Sequence, residues 1–212
     1  LYCIDHMLSS SEQAKTKGQK FIYQEEDFSH AINVLTQLHD STVSKTPEYG
    51  YRDETNLFNE GKLAICINGV WGAPMISDDI NAKYALLPSC TEKTVSCVSS
   101  GLGYVLGKSG NEERQEAAVS FLKYMLGKDV QLQILERTEQ IPANPDVTVE
   151  LYKKNKDKLY QAVSLVLEAD EKIEVPSNIW SLEQKNYFTE SIFDVLSGTI
   201  STQEFEENMK LK

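Results

Sequence analysis

The stretch Asn56-Leu57-Phe58-Asn59-Glu60-Gly61-Lys62-Leu63-Ala64-Ile65-Cys66-Ile67-Asn68-Gly69-Val70-Trp71 decides the reading of this sequence. Glu54 to Glu60 predicts a short helix stopped by Gly61, because glycine just past a last turn takes the left-handed conformation without a Cβ penalty. Lys62 to Ile67 is then a β-rich run that ends in the turn dipeptide Asn68-Gly69. The expectation is a strand opening into a loop that carries Trp71. Cys66, inside the apolar run, reads as a small buried hydrophobe.

Before that stretch, residues 1 to 26 are polar and weakly patterned, and they read as irregular. From Asp27 the apolar positions Phe28, Ala31, Ile32, Leu35 and Leu38 recur at three and four residues, which predicts a helix to about Asp40. After the stretch, Lys83 to Leu87 predicts another strand, ended by Pro88. Val95 to Leu106 reads as extended, interrupted by Gly101 and Gly103. Asn111 to Leu126 predicts a helix with Ala118, Phe121, Leu122 and Met125 on one face, and Asp129 can cap a short helix to about Glu136. Ile141-Pro142-Ala143-Asn144-Pro145 must be extended or turning. One long helix is expected from about Val147 to Ala169, then a loop holding Pro176 and a helix from Leu182 to Ser197 closed by Gly198. A last helix opens on Ser201 and Glu204 as a capping box.

The chain has 212 residues and a formal charge of −11. That length can bury roughly 70% of its extended surface, enough for one or two real cores. A hydrophobic share of 41% and a charged share of 25% describe a globular protein rather than a disordered one. The acid excess excludes a phosphate-backbone binder, which needs clustered Lys and Arg, so no nucleic-acid partner is expected. The longest apolar run falls far short of the roughly 18 to 20 residues a bilayer requires. Residues 1 to 20 begin with Leu1 and lack the basic start and apolar core of a signal peptide, so the sequence reads as a mature or truncated piece. Cys3, Cys66, Cys90 and Cys97 are too few for a disulfide scaffold and lack the spacing of a zinc site. Cys90 and Cys97 are spaced to face one another across a hairpin, which would permit a disulfide.

Chemistry-bearing motifs are weak. Gly107-Lys108-Ser109 follows a β-rich run, but a phosphate loop written GxxxxGK[ST] would need its first glycine at Leu102. A turn into a helix is the plainer reading. Gly101-x-Gly103 is a fragment of a dinucleotide fingerprint without the third glycine, and claims only a close backbone approach. No GxSxG elbow exists, and His6, His30 and His39 cluster at one end of the chain without a Ser or Cys partner. Paired acids such as Glu25-Glu26, Asp78-Asp79 and Glu112-Glu113 read as solvated or helix-start charges. No catalysis, cofactor or metal site is expected. Trp71 and Trp180 both fall on loops, where an indole either offers a flat face for stacking on sugar C–H groups or plugs the end of a core. Both readings stay open at this point.

The quoted stretch closely resembles the F-x-x-G-K-x-A-M-x-x-x-G-x-W segment of the extracellular solute-binding proteins of ABC importers, in their carbohydrate-binding, maltose-binding-protein-like branch. Tyr84-Ala85-Leu86-Leu87-Pro88, Ser100-Gly101-Leu102-Gly103-Tyr104-Val105-Leu106, Glu116-Ala117-Ala118 with Phe121-Leu122, and Ile141-Pro142-Ala143-Asn144-Pro145 follow in that family's order. The similarity spans roughly residues 27 to 209.

The resemblance implies an α/β, two-lobed periplasmic-binding-protein-like fold (type II) whose lobes close on a solute by hinge motion. It implies that this chain holds the C-terminal part, since family members are about twice as long. Residues 1–97 and 146–212 would build the second lobe, and 98–145 would return to the first. A segment without its sheet partners would expose backbone edges and apolar faces. The implied function is the substrate-binding component of an ABC transporter, capturing a sugar or oligosaccharide without altering it. Its implied partners are a carbohydrate and the permease subunits, its state a monomer. Its address is the periplasm or the outer face of the cell membrane, reached through a lipid anchor outside this chain, a role that Cys3 does not fill for want of a lipobox. Trp71 is the implied stacking platform, Asn68 and Gly69 shape its loop, Gly101 and Gly103 lie at the cleft, and Asn178 and Trp180 belong to a later cleft loop. The same scaffold could instead take a polyamine, metal chelate, phosphate ester or peptide. From other classes, an α/β enzyme domain could use a phosphate or nucleotide at Gly101 to Ser109, and a structural or adhesive module would have no concave site at Trp71.

Overall fold

Strand pairing in the computed structural model, which describes residues 25–41, 50–89, 92–99 and 103–211, is confined to two short parallel strands among those residues. Strand β1 (Val95–Val98) runs beside β2 (Glu171–Glu174), with Val95 opposite Glu171 and Val98 opposite Glu174. Helices make up most of the rest: α1 (Glu25–Asp40), α2 (Tyr51–Asn59), α3 (Glu112–Met125), α4 (Lys128–Thr138), α5 (Glu150–Asn155), α6 (Asp157–Glu168), α7 (Leu182–Leu196) and α8 (Thr202–Leu211). Two 3-10 turns, Val70–Met75 and Pro176–Ile179, complete the described elements.

The chain divides into two compact units. The first comprises residues 1–54, 86–99 and 169–212, the second 55–85 and 100–168. In the first, α1, α7 and α8 enclose Ala31, Ile32, Phe188, Ile192, Val195, Phe205 and Met209, together with Trp180. The Phe188 ring meets Trp180 at 5.2 Å and Phe205 edge-on at 5.9 Å. Ser181 caps α7 by accepting from Gln184 N while the Gln184 side chain accepts from Ser181 N, a full capping box. At its other end Gly198 takes φ +74°. The N–H groups of Gly198 and Thr199 there bond back to Val195 and Asp194, a Schellman ending.

The β1–β2 pair is closed at one end by side chains. Asp170 Oδ2 accepts from both the N–H and the hydroxyl of Thr94 at 2.8 Å, and Lys93 pairs with Glu171 at 2.5 Å. These two Thr94 bonds hold the Asp170 carboxyl below its ordinary range. Strand β2 escaped the sequence reading because its four residues, Glu-Lys-Ile-Glu, offer a single apolar side chain.

The second unit packs Leu135 of α4, Val147, Tyr152 of α5 and Leu159 of α6 into one cluster. The helix expected from Val147 to Ala169 is interrupted at Lys156, which has the extended φ of −143°. Tyr152 before the break and Leu159 after it are both buried in the same cluster, and the Lys156 ammonium bonds Glu139 at 2.6 Å. Asn111 caps α3 by accepting from Arg114 N at 3.0 Å. Yet α3 buries none of its residues, and Phe121 and Tyr124 are exposed.

The strands expected at Lys62–Ile67 and Lys83–Leu87 are not formed, and residues 103–106 are irregular as well. The reason is physical: β-rich residues express a fit to a pleated neighbour, and a lone extended segment gains no ladder. No partner strand lies beside them among the described residues, so Ile65 is 76% exposed and Val105 94%. Cys66 is accordingly half-buried rather than sealed in a core. Cys3 and Cys90 lie outside the described residues, and with Cys90 the disulfide to Cys97 that the spacing would permit.

Candidate functional site

The loop after Gly61 is built from the quoted stretch. Helix α2 ends in a second Schellman motif: Gly61 has φ +71°, Gly61 N bonds Phe58 O and Lys62 N bonds Leu57 O, each at 2.9 Å. The chain then runs extended to Asn68, whose Oδ1 accepts from Gly69 N at 2.8 Å. This bond turns the backbone into the 3-10 turn Val70–Met75, closed by Gly72 N on Gly69 O at 2.8 Å.

Two glycines in this turn are required by contact rather than by torsion. A Cβ on Gly69 would stand 2.2 Å from Trp71 Cη2, so the indole lies directly across that residue. A Cβ on Gly72 would stand 2.7 Å from Asn68 Cγ. Asn68, Gly69, Trp71 and Gly72 therefore form one interlocked knot, with Trp71 left 49% exposed while Gly72 and Ala73 are buried beneath it.

The far end of the turn is gripped by helices. Asn59, last residue of α2, donates from Nδ2 to Met75 O and accepts at Oδ1 from Ser77 N, both at 2.9 Å. Lys158 of α6 donates to Ile76 O and pairs with Asp78 at 2.6 Å, which holds the Asp78 carboxyl below its ordinary range. Close by in sequence, the Tyr84 hydroxyl is buried without a hydrogen-bond partner among the described residues. Its pKa is pushed up by that burial and, less strongly, by the Asp157 carboxylate. Sequence reading missed Asn59, Lys158 and Tyr84. Asn59 could have been suspected, since a side-chain amide at a helix end beside a glycine cap often bonds nearby backbone.

The other predicted positions are spread over the chain. Gly103 lies in the same unit as Trp71, exposed, and no described residue makes a close approach there. Gly101 lies outside the described residues. Asn178 and Trp180 belong to the first unit. Asn178 is exposed and donates to Ser99 Oγ at 3.3 Å and Glu174 Oε1 at 3.2 Å, which ties the 3-10 turn to the β1–β2 pair. Trp180 is only 5% exposed and packs among α1, α7 and α8, so of the two readings of its indole the core plug is the one the packing fits. Around Gly107-Lys108-Ser109, Ser109 N bonds Gln115 Oε1 and Ser109 Oγ accepts from Asn111 N. That is the approach to a capped helix.

Among the described residues no group of His, Cys, Asp and Glu is gathered to hold a metal ion, and no helix is long and apolar enough to cross a membrane.

A family model described as bacterial extracellular solute-binding protein matches residues 6–160. The chain belongs to this family of extracellular solute-binding proteins. A solved relative is similar in fold: a Streptococcus pneumoniae solute-binding protein in complex with the blood group A-trisaccharide, with a TM-score of 0.80 at 24% identity. The match covers 98% of this chain and 55% of that one, so the chain spans about half the length of that solute-binding protein. No curated protein matches the sequence.

Proposed function

We propose that the chain is part of the substrate-binding component of an ABC transporter and that it captures a sugar or oligosaccharide through Trp71. The observation that carries this is the half-exposed indole held flat across Gly69, the one tryptophan of two that its unit leaves open to solvent. An aromatic face of that kind stacks on the C–H faces of a pyranose, and nearby backbone and amide groups supply the polar anchors. Family membership and the trisaccharide in the solved relative support the reading. The family is one of binding proteins, and in this reading the solute is released unaltered.

In this reading the protein acts outside the cytoplasmic membrane, delivers its solute to permease subunits and works as a monomer held by a lipid anchor. Residues 98–145 belong with the first lobe of a longer polypeptide, and 1–97 with 146–212 form the second. The chain leaves the first unit after Ser99, close to the first of these crossings, but it returns only at Ala169, and residues 55–85 group with 100–168 rather than with the rest of 1–97. Gly101, Gly103 and Asn178 are proposed to lie at the cleft between lobes. Trp180 is left as a core residue.

A thermal-shift screen of the natural-length protein against carbohydrates, polyamines, phosphate esters, metal chelates and peptides tests the proposal. A carbohydrate that raises Tm, with loss of the shift in Trp71→Ala, is the expected result. A shift produced only by a non-sugar assigns the scaffold to another solute class.

A further inference from the structure

The exposure of Trp71 depends on where its 3-10 turn sits, and that turn is placed by packing against α6 and by bonds at its two ends. It is six residues long, a type of helix with poor internal geometry, and it contains Pro74, which donates no hydrogen bond. Its entrance is set by the Asn68 side chain and its exit by two residues from elsewhere in the unit. Asn59 bonds both Met75 O and Ser77 N, so one planar amide spans the backbone on either side of Ile76. Lys158 bonds the carbonyl between them, that of Ile76, and Ile76 itself is buried. Three consecutive residues, 75 to 77, are thus held by the end of α2 and the start of α6.

We infer that Asn59 and Lys158 are positioning residues for Trp71: together they hold the exit of the 3-10 turn and thereby set the height and tilt of the indole. The amide is suited to this because it donates to one backbone group and accepts from another in a single plane. Lys158 adds a cation whose second partner, Asp78, is on the same loop, so the ammonium is shared between a carbonyl and a carboxylate. Neither side chain is required to touch a solute. The consequence for carbohydrate affinity rests on the proposed role of Trp71, whereas the consequence for the indole's position does not.

The test is 19F NMR of the natural-length protein labelled with 5-fluorotryptophan. The Trp71 and Trp180 resonances are assigned by Trp71→Phe and Trp180→Phe, and Trp180, in the other unit, serves as internal control. Asn59→Ala is expected to shift or broaden the Trp71 resonance and raise its access to a soluble quencher, with Trp180 unchanged. Asn59→Asp keeps the acceptor for Ser77 N but loses the donor to Met75 O, and should give an intermediate displacement. Lys158→Met should move Trp71 in the same sense, and more in combination with Asn59→Ala. Should Asn59→Ala fail to fold, Asn59→Asp and Lys158→Met carry the same prediction. An unmoved Trp71 signal in folded Asn59 and Lys158 variants, whatever their stability, overturns the inference. In the natural-length protein the same variants should weaken carbohydrate binding roughly three- to tenfold, the worth of one aromatic contact. If no carbohydrate binds the unsubstituted protein while Asn59→Ala still moves Trp71, the positioning role stands and the solute reading falls.

Discussion

The six-membered ring of Trp71 lies over Gly69 with no room for a side chain between them, since a Cβ there would stand 2.2 Å, 2.3 Å and 2.5 Å from three of its carbons. The φ of Gly69 is −81°, a conformation open to any residue, so the glycine is demanded by the indole and not by the backbone. A ring stacked on its own chain has one face occupied by Gly69, while the indole as a whole stays 49% exposed.

Gly69→Ala separates these causes. The added methyl must displace the ring, because the rigid ring atoms cannot give way by a few tenths of an ångström. We expect a cost of about 1–3 kcal/mol, as for overpacked sites, together with a red shift or broadening of Trp71 emission. Chemical denaturation followed by tryptophan fluorescence reads both. Gly72→Ala, where the obstacle is the Asn68 side chain, should be milder because that side chain can rotate.

Gly198→Ala addresses backbone instead. Among the described residues no atom lies within 4 Å of a Cβ built there, but φ is +74°, so the substitution forces a non-glycine residue into the left-handed region. Its expected cost is about 1–2 kcal/mol. Asn at the same position should recover part of it, which a strictly steric origin would not allow.

The two tryptophans should respond in opposite ways. Trp180→Ala leaves a hole beside Phe188 in the first unit's core and should destabilise by about 3–5 kcal/mol. Trp71→Ala removes a half-exposed ring and should cost much less stability while abolishing carbohydrate binding. Urea titrations paired with binding measurements would show the two effects on different residues.

Asp170 carries an acid-sensitive contribution. Its carboxyl accepts twice from Thr94, so its folded pKa lies below the ordinary value of 3.8. A depressed carboxyl pKa stabilises above the unfolded pKa, and that contribution is lost as pH falls through the folded one. The group is solvent-exposed, so the effect is small. The Tm difference between the unsubstituted chain and Asp170→Asn should be constant from pH 7 to about pH 5 and should shrink towards pH 3. A difference that does not change with pH would mean that the Thr94 bonds do not depend on the charge.

Helices were legible in the sequence wherever their ends were punctuated. Asn111 before α3, Ser181 before α7, Gly61 after α2 and Gly198 after α7 each act within one turn of themselves, so a local reading finds them. The break at Lys156 has no proline or glycine to announce it, and the spacing of Tyr152 and Leu159 is that of one continuous helix face. The strands read at Lys62–Ile67 and Lys83–Leu87 depended on neighbours that a single segment does not specify. For the site, the Asn-Gly turn and Trp71 were readable as a loop with an indole, but the bed that Gly69 makes for the ring was not, nor was the grip of Asn59 and Lys158, which comes from residues 16 and 82 positions away from their backbone partners.

The most direct test of the account is fluorescence titration of the natural-length protein, carrying Trp180→Phe so that Trp71 is its sole indole within this sequence, with a panel of oligosaccharides. The account predicts saturable change in Trp71 emission with at least one sugar, protection from acrylamide when it is bound, and neither in Gly69→Ala. A sugar that binds tightly by calorimetry while Trp71 emission and quenching stay unaltered would contradict it.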